Sequence, residues 1–191
     1  MWPFPKAKWR YVMIALFLGL GASIALPPLT TATTQPTTSA SATIQTDSVQ
    51  VILSPGATDA MVAAIDSAQS TIDILMFEFS STALKSALQR AEQRGVQVRI
   101  VLDPKVNQNF GTASFLENNS VEVKWSSKDY VYTHAKLAVI DQRRVLVGSI
   151  NWSNNALKNN REAEVLIDNV QIAAQFQQAF DTDWSKATDY T

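Results

Sequence analysis

The chain contains no cysteine, which excludes disulfides, thiolate metal sites and a cysteine nucleophile together. It has one histidine, His134, in 191 residues. A single imidazole without thiolates argues against a conventional zinc site within one subunit. Charge is missing from two stretches near the start. Neither YVMIALFLGLGASIAL (11–26) nor PPLTTATTQPTTSASATIQT (27–46) carries any. No internal repeat is visible, so whatever motif the chain carries, it carries once.

The first uncharged stretch follows Lys6, Lys8 and Arg10. A basic start before an apolar run is the plan of a secretory signal, and the run is shorter than the roughly 20 residues a membrane span needs. Small residues at 23–25 suit cleavage, whereas Pro27 and Pro28 follow closely. Residues 1–26 are therefore expected to be a signal peptide or an N-terminal membrane anchor with its basic end inside. The Thr, Ser, Ala and Pro of residues 27–46 cannot bury enough apolar surface to fold alone and predict a linker. A single folded domain is expected over 47–191. These features predict an exported protein, periplasmic or secreted, with anchoring to the inner membrane by residues 11–26 as the alternative.

Beyond the three N-terminal bases the chain is mildly acidic, with 13 Lys and Arg against 17 Asp and Glu. Yet between Lys124 and Arg161 there are seven bases and only two acids, Asp129 and Asp141, around the only histidine. A solvated face mixes signs, so this bias points to an anionic ligand.

From residue 48 onward, strand and helix patterns alternate. Strands are expected at 48–55, 70–79, 96–103, 121–125, 134–141, 144–149 and 162–168, and helices at 58–69, 80–95, 112–119 and 170–185. Thr58 and Ser81 or Ser80 are the expected N-caps, and Gly95 the expected stop of the second helix. An Asn-rich loop separates the last two strands, and a polar turn at Gln142-Arg143 joins the preceding pair. The fold class this predicts is α/β, a layered domain with a mixed β-sheet flanked by helices.

On a strand, His134, Lys136, Ala138 and Ile140 share one face, while Ala135, Leu137 and Val139 pack the other. Ser149 and Asn151 end the neighbouring strand beyond Gly148, which permits a tight backbone path. An ammonium, a hydroxyl and an amide beside an imidazole suit the oxygens of a phosphate. Glu162 opens the next strand and is placed to accept the proton on the other ring nitrogen. Trp125, Tyr130 and Tyr132 lie near the motif, either to stack on bases or to pack at its rim.

His134-Ala-Lys136-Leu-Ala-Val-Ile-Asp141 fits the HxKxxxxD signature of the phospholipase D superfamily. Gly148-Ser149-Ile150-Asn151 fits that family's GSxN element, and the segment from Asn160 through Glu162 resembles the one carrying its orienting glutamate. The resemblance runs from about Val49 to Trp184, and the stretch 72–103 resembles the small, single-motif bacterial endonuclease branch. It implies that His134 attacks the phosphorus of a phosphodiester and forms a phosphohistidine that water hydrolyses. Lys136 and Asn151, helped by Ser149, would bind the substrate and hold its non-bridging oxygens. Glu162 would orient His134, with Glu164 on the same face as the alternative, and Asp141 would support the strand and turn. The leaving oxygen needs a second histidine as general acid. The resemblance therefore implies a homodimer with a shared active site, and neither metal nor cofactor. The implied substrate is nucleic acid, DNA and/or RNA, with phospholipid as the alternative and a non-catalytic nucleic-acid-binding envelope protein as a third reading.

Overall fold

The strands form because β-branched and aliphatic residues alternate between two apolar environments. The computed structural model describes residues 47–190; the expected signal or anchor and the linker lie outside the described residues. Eight strands form one sheet: β1 (Ser48–Ser54), β2 (Thr71–Met76), β3 (Gln97–Leu102), β4 (Glu122–Trp125), β5 (Lys136–Ile140), β6 (Arg144–Gly148), β7 (Glu162–Asp168) and β8 (Thr188–Asp189). Their order across the sheet is β1-β7-β6-β5-β2-β3-β4-β8. The β2-β3 and β3-β4 pairs are parallel and the others antiparallel. This is the mixed sheet flanked by helices that the pattern predicts.

One core lies beneath α1 (Thr58–Asp66), α2 (Thr82–Gln93), α3 (Gln108–Glu117) and α4 (Asn154–Lys158). Ile74, Ala138, Ile140 and Leu146 supply its sheet side. The other core lies beneath α5 (Val170–Lys186), where Ala173 and Phe180 meet Leu75, Val101, Leu137 and Val139. Strand β5 thus divides its side chains between the cores with the expected parity. An ion pair pins α5 to the sheet: Arg99 Nε and Nη2 donate to Asp73 at 2.7 and 2.8 Å, and Gln177 Nε2 of α5 donates to the same carboxylate at 2.7 Å.

Several element ends differ from expectation. Ala57, not Thr58, occupies the N-cap of α1, with no side-chain bond. Ser81 caps α2 by accepting from Leu84 N, and Gly95, at φ +86°, ends it in the left-handed conformation. The Asn-rich loop contains the short helix α4, because Ser153 caps it through Ala156 N. The chain turns between β5 and β6 at Asp141 and Gln142, at φ 54° and 52°, one position earlier than expected. Ladder pairing in β5 begins at Lys136, so His134 stands on the segment just before the strand.

Candidate active site

The site gathers where β2 and β6 end and β5 and β7 begin. Asp103 and Asn109 hold the segment entering β5. Buried Asp103 accepts Thr133 N at 2.7 Å and Lys105 N at 2.8 Å. Asn109 Nδ2 donates to Asp103 O and to Phe77 O, at 2.9 and 2.8 Å. Two segments remote in sequence are thereby fixed around His134.

His134 is exposed, and its ring lies 4.3 Å from that of Phe77 at a 49° tilt. Lys136 is only 8% exposed. Its Nζ donates to His134 O at 2.8 Å and sits 3.1 Å from His134 Nδ1 and 4.9 Å above the Phe77 ring centre. An exposed imidazole rests on a buried amine. Burial pushes the Lys136 pKa below its ordinary value, while the nearby carboxylates Glu162, Glu78 and Glu164 oppose that shift.

The far side of the site is set by Gly148. A Cβ there would lie 2.3 Å from Ala163 O and 2.7 Å from Glu164 Cα, so only glycine lets β6 and β7 approach this closely. Ser149 is then brought to the start of β7, where its Oγ donates to Glu162 Oε2 at 2.7 Å and accepts Ala163 N at 3.2 Å. Glu162 Oε1 accepts Asn160 Nδ2 at 3.0 Å. The carboxylate expected to meet His134 therefore has Ser149 and Asn160 as its partners within this chain. Asn151 Nδ2 donates to Glu78 Oε2 at 3.3 Å. Glu164 is buried and accepts Ile150 N at 3.3 Å. Burial, reinforced by Glu162, raises its pKa to about 8 against the opposing Ile150 bond and Lys136 charge.

Asp141 occupies the opposite end of β5. It accepts backbone N–H bonds from Gln69, Ser70 and Thr71 and pairs with Arg144 at 3.1 Å. Burial would raise its pKa, but the Ser70, Gln69 and Thr71 N–H groups outweigh that and hold it below the ordinary range. It binds the β5–β6 turn to the start of β2, remote from the imidazole.

Of the residues predicted from sequence, His134 and Lys136 touch. Ser149 and Glu162 form a second pair, and Asn151 a third with Glu78. Glu78 and Phe77 were not singled out. The signal for them was a charged residue beside an aromatic one in LMFEFS (75–80), at the end of an otherwise apolar strand. Among the described residues no three His, Asp or Glu side chains gather as a metal-binding group.

The arrangement offers an imidazole ring, an ammonium, an amide and a hydroxyl at one end of a mixed sheet. Known proteins resemble this chain in sequence and in fold. Residues 61–184 match the family model described as "Cardiolipin synthase, PLD-like domain". Human mitochondrial cardiolipin hydrolase is 32% identical over 134 residues, 69% of this chain and 53% of that protein. Phospholipase D of Rickettsia prowazekii is 31% identical over 124 residues, 64% of this chain and 60% of that protein. The chain thus spans little more than half the length of these curated relatives. The crystal structure of Nuc from Salmonella typhimurium, a phospholipase D family member, superposes with a TM-score of 0.73 at 29% identity. That match covers 76% of this chain and 99% of Nuc. With a family model matched across residues 61–184, the chain belongs to the phospholipase D-like domain family.

Proposed function

We propose that this protein is a phosphodiester hydrolase working through a phosphohistidine on His134, and that its substrate is nucleic acid, cut as a non-specific endonuclease on DNA and/or RNA. The observation that carries the proposal is the exposed His134 ring set on the buried Lys136 ammonium. An imidazole nitrogen attacks phosphorus, and the N–P bond forms as the P–O bond to the leaving group breaks. Lys136 and Asn151, with Ser149, stabilise the negative charge on the non-bridging oxygens. Water then attacks the same phosphorus, the N–P bond breaks, and His134 is regenerated.

The leaving oxygen needs a proton, and the water must lose one. With one histidine per chain, both transfers fall to His134 of a second copy, in a homodimer whose two-fold axis passes through the shared site. An apolar face supports such pairing. Val51, Val165 and Val147 form a row across β1, β7 and β6 on the α5 side of the sheet, ending at Leu137 of β5, which lies under α5. Val49, Val51 and Leu53 of β1 are exposed there.

Nucleic acid is favoured by the seven bases against two acids between Lys124 and Arg161 and by the likeness to Nuc. Phosphate contacts make such binding weaken with salt. Phospholipid is the second reading, favoured by the likeness to cardiolipin hydrolase and phospholipase D and by the apolar N-terminal stretch. The proposal includes export through residues 1–26, which cell fractionation with and without that segment tests.

The deciding experiment incubates the purified protein with plasmid DNA, RNA and phospholipid vesicles in EDTA, beside His134→Ala. Cleavage of nucleic acid in EDTA is expected. His134→Ala should lose on the order of 10³-fold or more in turnover with an unchanged circular dichroism spectrum. Full turnover by the variant, or loss of wild-type activity on chelation, would overturn the proposal.

A further inference from the structure

The segment entering the motif and the β3–α3 connection together present an aromatic and cationic pair that the chemistry above does not use. Tyr132 is 53% exposed, and its ring meets Phe77 edge-on, 5.8 Å between centres. Phe77 is the ring against which His134 lies, 4.3 Å away. The three rings therefore run in sequence from the reacting imidazole outward. Lys105 Nζ stands 5.0 Å from the centre of the Tyr132 ring and donates to Val131 O. Both residues are exposed but not loosely held. The backbone at Lys105 and the backbone at Thr133 are tied to the two oxygens of buried Asp103.

A polynucleotide repeats one anionic phosphate and one flat π-face per unit. An exposed ring beside an exposed ammonium matches one such unit, and Phe77 sets the pair one step from the attacking nitrogen. We propose that Tyr132 and Lys105 form a binding subsite for the nucleotide flanking the scissile phosphate. The base stacks on Tyr132 and the next phosphate meets Lys105. This rests on nucleic acid being the substrate of the His134 site and adds which strand form is held. A base inside a duplex has both faces covered, so the subsite selects single-stranded or frayed segments.

Binding tests this without relying on turnover. Fluorescence anisotropy in EDTA would compare oligo(dT) with an oligomer of equal length lacking every base, on the full-length His134→Ala protein with and without Tyr132→Ala. Tyr132→Ala should weaken oligo(dT) binding about tenfold, as expected for one lost base stack, and leave the base-free oligomer at its already weaker affinity. Tyr132→Phe keeps the ring and should bind oligo(dT) within about twofold of the parent. Lys105→Ala should weaken both oligomers alike. Equal affinity of the Tyr132→Ala protein and its parent for oligo(dT), or equal losses on both oligomers, would overturn the subsite. So would loss of binding to anionic phospholipid vesicles with oligo(dT) affinity unchanged, which would assign the tyrosine to a lipid surface. Wild-type turnover, measured separately, reports on the phosphodiesterase reading itself. A wild-type protein that cleaves nothing but shows the tyrosine-dependent difference would retain the subsite and lose the catalytic reading.

Discussion

At the residue scale, the site depends on charge held away from water. Lys136 is buried beside Glu162, Glu78 and Glu164, whose negative charge opposes the fall in its pKa that burial imposes. Glu164 makes a testable contribution to stability. Its pKa is about 8 in the folded chain against an ordinary 4.5, so the folded state holds this proton more tightly than the unfolded state. The resulting stability is complete below pH 4.5 and is lost as the pH rises towards about 8. Glu164→Gln cannot ionise. Its melting temperature should fall several degrees less than that of the parent between pH 5 and pH 9, as followed by circular dichroism. Parallel melting curves would refute this role. The motif residues were legible in the sequence because their spacing is a chemical pattern. Glu78, Phe77 and the partners of Glu162 were not, because they meet only through contacts between strands distant along the chain.

Elements place these residues, and here sequence was informative about type and weaker about ends. Alternating aliphatic residues marked each strand from β1 to β7, and apolar spacing marked α1, α2, α3 and α5. The misses have physical causes. Thr58 lost the cap because Ala57 before it already takes helical dihedrals and its carbonyl accepts Met61 N. The Asn-rich loop became α4 because Ser153 satisfies its first turn. The two-residue strand β8 was not expected at all; it exists only by pairing with β4. Gly148 is the element-level hinge of the site, since backbone atoms of β7 occupy the space of any side chain there. Backbone cannot swing aside as a flexible side chain would. Gly148→Ala should therefore cost about 3 kcal/mol in urea unfolding and displace Ser149, with turnover reduced even where the fold persists. Unaltered stability would show that the two strands separate without penalty.

At the scale of the whole molecule, one histidine and an open apolar sheet face belong to the same proposal. Helix α5 covers the β6, β5, β2 and β3 part of its side of the sheet, whereas Val49 and Val51 stand 63% and 65% exposed on β1. Val51→Lys should shift a dimer toward monomer in sedimentation velocity by about tenfold or more in dissociation constant, and turnover should then rise with protein concentration. An unchanged dimer would move the interface elsewhere, and a fully active monomer would remove the shared site. The layered α/β plan was legible because alternation recurs along the chain. The open face was not, since Val49 and Val51 look like any buried strand residues until the sheet order places them at its edge. The central claim, covalent catalysis by His134, is tested most directly by trapping the intermediate. The protein is mixed with a short oligonucleotide in EDTA, quenched in alkali, which preserves phosphohistidine, and analysed by intact and peptide mass spectrometry. The account predicts a mass gain equal to the substrate less its leaving group, located on the peptide containing His134 and absent from His134→Ala. Turnover with no adduct at His134, undiminished in the variant, would contradict it.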